Sequence, residues 1–202
     1  MVKRIMLALA MLLGINAVLD ARPPRLSYGL EWGYTATMLK TAQHNFICAE
    51  GYRIIENPQT WWYYSNGSIL ADAGLDIGQH FNLSAYSGII GVYSKRWMIP
   101  AELRLRYCPA GLHSDGFIFQ AGGGALFPTA TLRETGIRGL IGGGYRLAVY
   151  RDISVDLLLS MHLSVDHERI VDPDTGNYVP RMQIAANTAE YYALNISVAI
   201  NF

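Results

Sequence analysis

Hydrophobic and polar residues alternate with a period of two along the last twelve residues of the chain. One face of this segment is large and apolar, with Tyr192, Leu194, Ile196, Val198, Ile200 and Phe202. The other face is mostly small or polar, with Tyr191, Ala193, Asn195, Ser197, Ala199 and Asn201. Because successive side chains of a strand point to opposite faces, the pattern predicts a strand between an apolar and a polar environment.

The same alternation recurs earlier in the chain and predicts further strands. With the final strand they cover residues 26–38, 68–78, 81–93, 97–107, 116–127, 136–150, 153–166 and 191–202. In 97–107, Glu102, Arg104 and Arg106 lie opposite a fully apolar face. Strands of this length and even number predict an all-β fold, an eight-stranded antiparallel transmembrane up-and-down β-barrel. Long connections, 39–66 and 167–190, follow the first and seventh strands, so we assign the short turns and both termini to the periplasm.

Composition agrees with a membrane barrel of one domain. The 202 residues have a mean hydropathy of +0.16. After the N-terminus no run of about 18 apolar residues predicts a spanning helix. Sixteen basic and 16 acidic residues give no electrostatic basis for binding nucleic acid. A soluble β-sandwich is the alternative fold.

The N-terminus has the pattern of a secretory signal peptide. Lys3 and Arg4 precede an apolar stretch, residues 5–15. The pattern predicts a signal peptide over residues 1–21, with cleavage after Ala17 or Ala21, and a barrel over residues 22–202. Export permits disulfides, but the strand order puts Cys48 and Cys108 at opposite ends of the barrel, so we expect them not to pair.

Charged residues occupy the face that a barrel turns inward. An eight-stranded barrel is just wide enough for its own side chains, and a buried charge without a partner costs several kcal/mol. We therefore expect a plugged lumen with an ionic network of Glu31, Asp72, Asp76, Glu102, Arg104, Arg106, Arg138, Arg146 and Asp156. The runs Gly122–Gly124 and Gly142–Gly144 lie inside predicted strands, where glycine permits curvature and close packing.

The candidate for chemistry is His162, Ser164 and Asp166. A histidine and a serine two residues apart share a strand face, where the base can reach the hydroxyl. The His-x-Ser pair resembles the pair of outer-membrane lipid A deacylases, although Val165 replaces their asparagine and this pair faces the lumen rather than lipid. A polar lumen lining is the other interpretation. No spacing of histidines and cysteines predicts a metal site, and we expect no cofactor.

The connection 39–66 carries Trp61, Trp62, Tyr63 and Tyr64. Exposed aromatic residues suit a binding surface, so we predict an aromatic patch on an extracellular loop. The alternative is that these side chains line the outer membrane interface or pack on the barrel rim.

The whole mature chain resembles small outer-membrane β-barrel proteins of Gram-negative bacteria. The resemblance rests on the signal peptide, the alternating strands, the hairpins LDIGQHFNLSAYSGIIG and IGGGYRLAVYRDISVDLLLSM, and the ending at Phe202. LSYGLEWGY and the second hairpin are similar to a group of uncharacterised eight-stranded barrels. The resemblance implies an outer-membrane location, contact with its lipid, and recognition of Phe202 by the barrel-assembly machinery.

The fold does not select a function, because such barrels have many roles. The leading hypothesis is a barrel without evident catalysis that acts through its extracellular loops, in adhesion, in envelope integrity or as an accessory subunit with an envelope protein partner. The alternatives are a lipid-acting acyl hydrolase that uses His162 and Ser164, and a narrow conduit for small solutes.

Overall fold

The computed structural model describes residues 24–93, 96–129, 135–150 and 152–202. The strands in chain order are β1 (Arg25–Ile47), β2 (Arg53–Glu56), β3 (Gln59–Ile77), β4 (Phe81–Tyr93), β5 (Arg96–Tyr107), β6 (Gly116–Pro128), β7 (Gly136–Tyr150), β8 (Ile153–Asp166) and β9 (Ile184–Asn201). None of the helical structure in this part of the chain is long and apolar enough to cross a membrane. The predicted signal peptide and its cleavage sites lie outside the described residues.

Eight of the strands close into an antiparallel barrel. Each of β4 to β9 pairs with the strand before it, and β3 pairs with β1. β9 returns to β1 and pairs with it from Gly29↔Asn201 to Phe46↔Ile184, which closes the wall. β2 is a short additional strand that pairs with the end of β1. The closed eight-stranded wall confirms the predicted fold class.

Side chains of the wall alternate between the exterior and the lumen, as the sequence predicts. In β9, Ile196 is 65% exposed, whereas its neighbours Asn195 and Ser197 are buried. In β5, Glu102 and Arg104 are buried and Leu103 between them is exposed. The exterior is therefore apolar, and the closed sheet leaves no unpaired backbone edge within the lipid.

The strands on one side of the barrel are longer than predicted. β1 continues to Ile47, β3 begins at Gln59 and β9 begins at Ile184, so the predicted loop 39–66 is largely a β-hairpin. β1 beyond residue 37 rises roughly 30 Å along the strand direction at about 3.3 Å per residue. The alternation does not reveal this extension, because a strand outside the lipid needs no apolar face. We call residues 38–47, 53–56, 59–67 and 184–188 the outer flap.

A proline interrupts one strand of the outer flap. The sequence indicates a turn at Asn57-Pro58, but the two residues separate β2 from β3 along the same side of β1. The carbonyl oxygen of Pro58 still accepts a hydrogen bond of 2.9 Å from the Ala42 amide. Proline has no N–H to donate, so the ladder breaks here without changing direction.

Both termini of the barrel lie at the end opposite the outer flap. The Phe202 amide donates to the Tyr28 carbonyl at 2.8 Å, which holds the last residue against β1. Short connections lie at this end, which is the end that the sequence assigns to the periplasm, and we call it the periplasmic end. Cys108 lies here, whereas Cys48 directly follows β1 at the outer flap; both are buried and form no disulfide.

Two glycines of β7 differ in the space around them. A β-carbon on Gly144 would lie 2.0 Å from the Leu157 carbonyl oxygen of β8, whereas one on Gly139 would meet no atom within 4 Å. Close approach of the backbones therefore requires glycine at position 144 and leaves position 139 tolerant.

We expect Gly144→Ala to lower the free energy of unfolding by about 1–3 kcal/mol, because β7 and β8 must separate to fit the methyl group. Gly139→Ala is the matched control, expected to change it by less than about 0.5 kcal/mol. The measurement is the urea dependence of the folded band in unheated gel samples. Equal midpoints for the two variants would contradict the packing argument.

Candidate functional site: the barrel lumen and the outer flap

An ionic cluster fills the middle of the lumen. The Arg104 guanidinium donates to the Glu31 carboxylate at 2.8 Å and to Glu102 at 2.8 Å. Arg138 lies 3.4 Å from the other Glu102 oxygen. All four side chains are buried, and they come from β1, β5 and β7. Facing strands thus supply opposite charges to one layer, which offsets the desolvation of each.

A second ionic cluster lies nearer the periplasm. Arg146 donates to Asp156 at 2.7 Å, and Arg106 lies 3.5 Å from the same carboxylate. Arg106 also lies 3.8 Å from Glu31, which links the two clusters. Asp76 accepts a hydrogen bond of 2.7 Å from Asn82 instead of binding an arginine.

The remaining acid of the predicted network is Asp72, which is buried near these clusters. Its position in the alternating pattern is the same as that of the other acids, yet it forms no ion pair with another residue that the structure describes. Pairing depends on which side chains face each other across the lumen, and alternation along one strand does not specify that.

Tyr86 separates the ionic clusters from an apolar layer above them. Arg104 and Arg106 lie 4.0 Å and 5.4 Å from the centroid of its ring, within the range of cation–π contacts. The apolar layer packs on this ring and consists of Ala42, Leu70, Ile90, Val92, Met98, Leu126, Ala189 and Tyr191. The lumen is thus filled by two chemically different layers, one ionic and one apolar.

A third polar cluster lies at the outer mouth of the lumen, above the apolar layer. The Glu168 carboxylate binds Lys40 at 2.6 Å and Arg96 at 3.4 Å, and accepts a hydrogen bond from Tyr191 at 2.5 Å. Arg96 also binds Asp166 at 3.1 Å. Burial raises the pKa of Glu168, but hydrogen bonds from Lys40 and Tyr191 outweigh it and leave the pKa below the ordinary value. The carboxylate is therefore ionised at neutral pH and fixes the connection 167–183 to the wall.

This outer cluster was missed by the sequence analysis. Lys40 and Glu168 fall in predicted loops, and Arg96 falls in a predicted turn with Lys95, which lies outside the described residues. Tyr86 was missed as well, although its even position between Ala85 and Ser87 on β4 places it on the lumen side. The alternation therefore contained the signal for Tyr86 and none for the outer cluster.

The structure does not form the predicted pair of His162 and Ser164. Both side chains face the lumen and are buried, but His162 Nε2 lies 2.8 Å from Ser160 Oγ, the serine on its other side. Asp166 binds Arg96 and the His167 amide, and it does not orient the histidine. The three residues thus do not form the nucleophile, base and orienting acid that acyl transfer requires.

The predicted aromatic loop is part of β3, so it does not form one patch. Trp61 and Tyr63 point outward and are 71% and 65% exposed. Tyr64 points the other way, and its ring centroid lies 4.7 Å from that of Tyr93. The side chain of Trp62 lies outside the described part of the structure. Strand alternation divides the aromatic run between two faces, which a loop would not have done.

The alternation along the strands also predicts an interfacial girdle of aromatic residues on the outward face, and the structure corrects one of its members. The predicted girdle consists of Trp32, Tyr34, Tyr93, Trp97, Tyr107, Tyr145 and Tyr192. Trp32, Tyr34, Trp97, Tyr107, Tyr145 and Tyr192 are exposed on the exterior. Tyr93 was predicted with them, but its ring centroid lies 5.3 Å from that of the buried Tyr191 at the outer mouth. The pairing of β4 with β5 shifts between Gly91 and Tyr93, and this irregularity turns the Tyr93 ring inward.

Comparisons with known proteins add a similarity to a solved structure. No protein-family model matches the chain, and no curated protein matches it. Among solved structures, the chain is similar to the outer membrane protein OprG from Pseudomonas aeruginosa. The identity is 9% and the TM-score 0.46, over 87% of this chain and 95% of that chain.

The fold is assigned from the pairing of the strands and from the apolar exterior. A closed antiparallel sheet with exposed leucine, isoleucine and aromatic residues outside and ion pairs inside is suited to lipid and not to water. The chain is therefore a small eight-stranded antiparallel β-barrel with a lipid-facing exterior.

We expect Arg104→Leu to lower the free energy of unfolding by about 3–5 kcal/mol, because it leaves Glu31 and Glu102 buried with fewer cationic partners. Arg25→Ala is the control, since it breaks the exposed Arg25–Asp152 pair, which is worth about 0–1 kcal/mol. Urea unfolding of the barrel in detergent, followed by tryptophan fluorescence, gives both values. A loss for Arg104→Leu no larger than for Arg25→Ala would contradict a stabilising role of the ionic cluster.

Proposed function

We propose that this barrel is a non-catalytic protein of the cell surface that binds a partner through its outer flap, as an adhesin or as an accessory subunit of an envelope complex. The observation that carries the proposal is the division of the molecule into a filled lumen and an extended flap. The flap presents side chains to the outside, whereas the lumen contains ionic and apolar layers that occupy it.

The filled lumen favours this role over the enzymatic alternative. His162 and Ser160 lie within hydrogen-bond distance, but both are buried in the lumen wall and face away from the lipid that an acyl hydrolase must reach. Cavities of about 30 Å³ and 570 Å³ lie at the periplasmic end, and one of about 680 Å³ lies beside the connection 167–183. Neither His162 nor Ser160 lines any of these three cavities, so none of them brings a lipid chain to the pair.

The flap has the properties of a rigid binding surface. Its own apolar core joins Phe46 and Cys48 to Ile170 and Val179 of the connection 167–183. Asp172 of that connection accepts a hydrogen bond of 2.7 Å from the Ala49 amide. A surface that is ordered before it binds loses less conformational entropy on binding. Trp61 and Tyr63 are exposed on this ordered support, and aromatic side chains contribute strongly to interfaces.

One observation favours the conduit as a second candidate. Several buried polar atoms of the lumen have no protein partner, among them atoms of Gln120, Arg138 and Asn195. Ordered water satisfies such atoms in other proteins, so a partly hydrated path along the wall is compatible with the geometry.

A conductance measurement separates the two candidates. In planar bilayers we expect no stable single-channel conductance from the wild-type protein, because Tyr86 and its neighbours occupy the cross-section. Tyr86→Ala removes the ring between the ionic and apolar layers and is expected to produce small, brief openings. A stable open conductance of the wild type would favour the conduit and contradict a closed lumen. The heat-dependent gel shift checks that the variant is folded.

The size of the native complex tests the proposed binding role. After mild-detergent extraction of outer membranes, we expect the wild type to migrate in a complex larger than the monomer. Trp61→Ser with Tyr63→Ser is expected to shift it to monomer size. Tyr150→Ser, an exposed aromatic residue at the periplasmic end, is the matched control and should leave the complex intact. A complex that survives loss of both flap aromatics would contradict binding through this face.

A further inference from the structure

The outer flap ends in a strand edge that no other described strand covers. β3 pairs with β1 from residue 59 onward, but its pairing with β4 begins only at Ser68↔Ile90. Near Tyr64 the end of β4 comes close, since the Tyr64 and Tyr93 rings lie 4.7 Å apart. The segment Gln59–Tyr63 therefore pairs on one side only within the described part of the chain. We call it the flap edge.

The backbone groups of the flap edge can be assigned a direction. The Pro58 carbonyl accepts from the Ala42 amide of β1, so Pro58 and Thr60 direct their backbone groups toward β1. In an antiparallel ladder, successive residues direct these groups to opposite sides. Gln59 and Trp61 consequently direct their N–H and C=O groups away from β1, toward the free side.

The flap edge carries few of the protections that strand edges normally have. Charged residues and prolines commonly block such edges, and the flap edge contains neither between Gln59 and Tyr63. Its residues include aromatic and β-branched types, which favour strands. A bulge opposite Met38 interrupts the ladder at residues 62 and 63 and leaves Gln59–Trp61 as the regular part.

The opposite edge of the outer flap, formed by residues 184–188 of β9, is covered by the connection 167–183. The pairing of β8 with β9 ends at Asp166↔Ala189, so residues 184–188 of β9 do not pair with β8. There, the imidazole of His167 binds the Asn187 backbone carbonyl, and the side-chain amide of Asn187 donates to the Glu168 backbone carbonyl. The connection thus screens one edge of the outer flap, whereas no strand among residues 24–93, 96–129, 135–150 and 152–202 covers the flap edge of β3.

We propose that the flap edge binds an extended segment of a partner protein, which adds a strand beside β3 by backbone hydrogen bonding. This inference rests on the proposed function and names the kind of partner. Main-chain hydrogen bonds to Gln59 and Trp61 would set the register of the added strand beside β3. The exposed rings of Trp61 and Tyr63 would favour apolar side chains on one face of that strand. The partner segment is therefore one in which apolar and polar residues alternate.

A second copy of the same chain does not fit this edge. Two copies in one membrane are related by a twofold axis along the membrane normal, which leaves the upward direction of β3 unchanged and reverses its sideways tilt. Barrel strands tilt by about 35–45°, so the two edges would cross at roughly 70–90°. Strands that cross at such an angle cannot form a ladder, which leaves a different protein as the occupant.

The test is binding of a strand-forming peptide to the full barrel in lipid nanodiscs. The probe is a fluorescent ten-residue peptide of alternating valine and threonine with a lysine at each end. We expect it to bind and to slow hydrogen exchange of the Gln59 and Trp61 amides. Gln59→Pro removes one edge amide without touching a bond to β1, and should weaken binding about tenfold, the effect of roughly one to two backbone hydrogen bonds.

Gln59→Ala is the matched control, because it removes the same side chain and keeps the amide; it should change the affinity less than twofold. If Gln59→Pro folds poorly in the gel-shift assay, Trp61→Pro is compared with Trp61→Ala, because both remove the ring and only Trp61→Pro removes the edge amide. Equal affinities for Gln59→Pro and Gln59→Ala, or no protection of the two amides, would overturn the proposal.

The native complex distinguishes failure of this inference from failure of the proposed function. If Gln59→Pro leaves the complex intact while Trp61→Ser with Tyr63→Ser dissolves it, the flap binds through side chains alone and strand addition is wrong. If neither change affects the complex, the binding role of the flap is wrong as well.

Discussion

The need to satisfy every backbone hydrogen bond in lipid governs this structure. Hydrocarbon offers neither donors nor acceptors, so a sheet within it must close on itself. The seam between β1 and β9 achieves this closure, and it extends the full height of the wall from Gly29 to Phe46. Without that seam both strands would expose unpaired backbone groups to lipid, and the remaining strand pairs could not compensate.

Closure with eight strands determines what the lumen can contain. A barrel of this size has room for its own side chains and for little else. Charges that alternate with apolar residues along β5 and β7 are therefore brought within contact distance of carboxylates on β1, β5 and β8. The ionic clusters are a consequence of the closed wall, and they stabilise it because most of their charges, unlike that of Asp72, have an oppositely charged partner within the lumen.

The constraint ends where the strands leave the lipid, and beyond that point the sheet no longer has to be closed. Water can satisfy an open edge, so β1, β3 and β9 continue beyond the barrel as a flap that need not close. The connection 167–183 covers one side of this flap and is fixed to the wall by Glu168. The other side keeps exposed aromatic residues and a strand edge that no described strand covers, which makes the flap the part of the molecule suited to a partner.

The sequence by itself determined the features that depend on neighbouring residues along one strand. Alternation identified the eight wall strands, the apolar exterior and the inward position of Arg104 and Glu102, because side-chain direction in a strand is a local property. A strand outside the lipid needs no apolar face, so alternation does not identify the strand that carries Trp61 and Tyr63. The sequence therefore predicts a loop there.

Only the tertiary structure decided which residues meet across the barrel. Asp72 and Glu31 have the same local pattern, yet only Glu31 binds an arginine among the described residues. His162 lies equally far along the chain from Ser160 and Ser164, and the packing of the lumen selects Ser160. The contacts of Lys40, Arg96 and Glu168 join β1, β5 and a distant connection. Such contacts depend on closure and register of the whole sheet, which no single segment encodes.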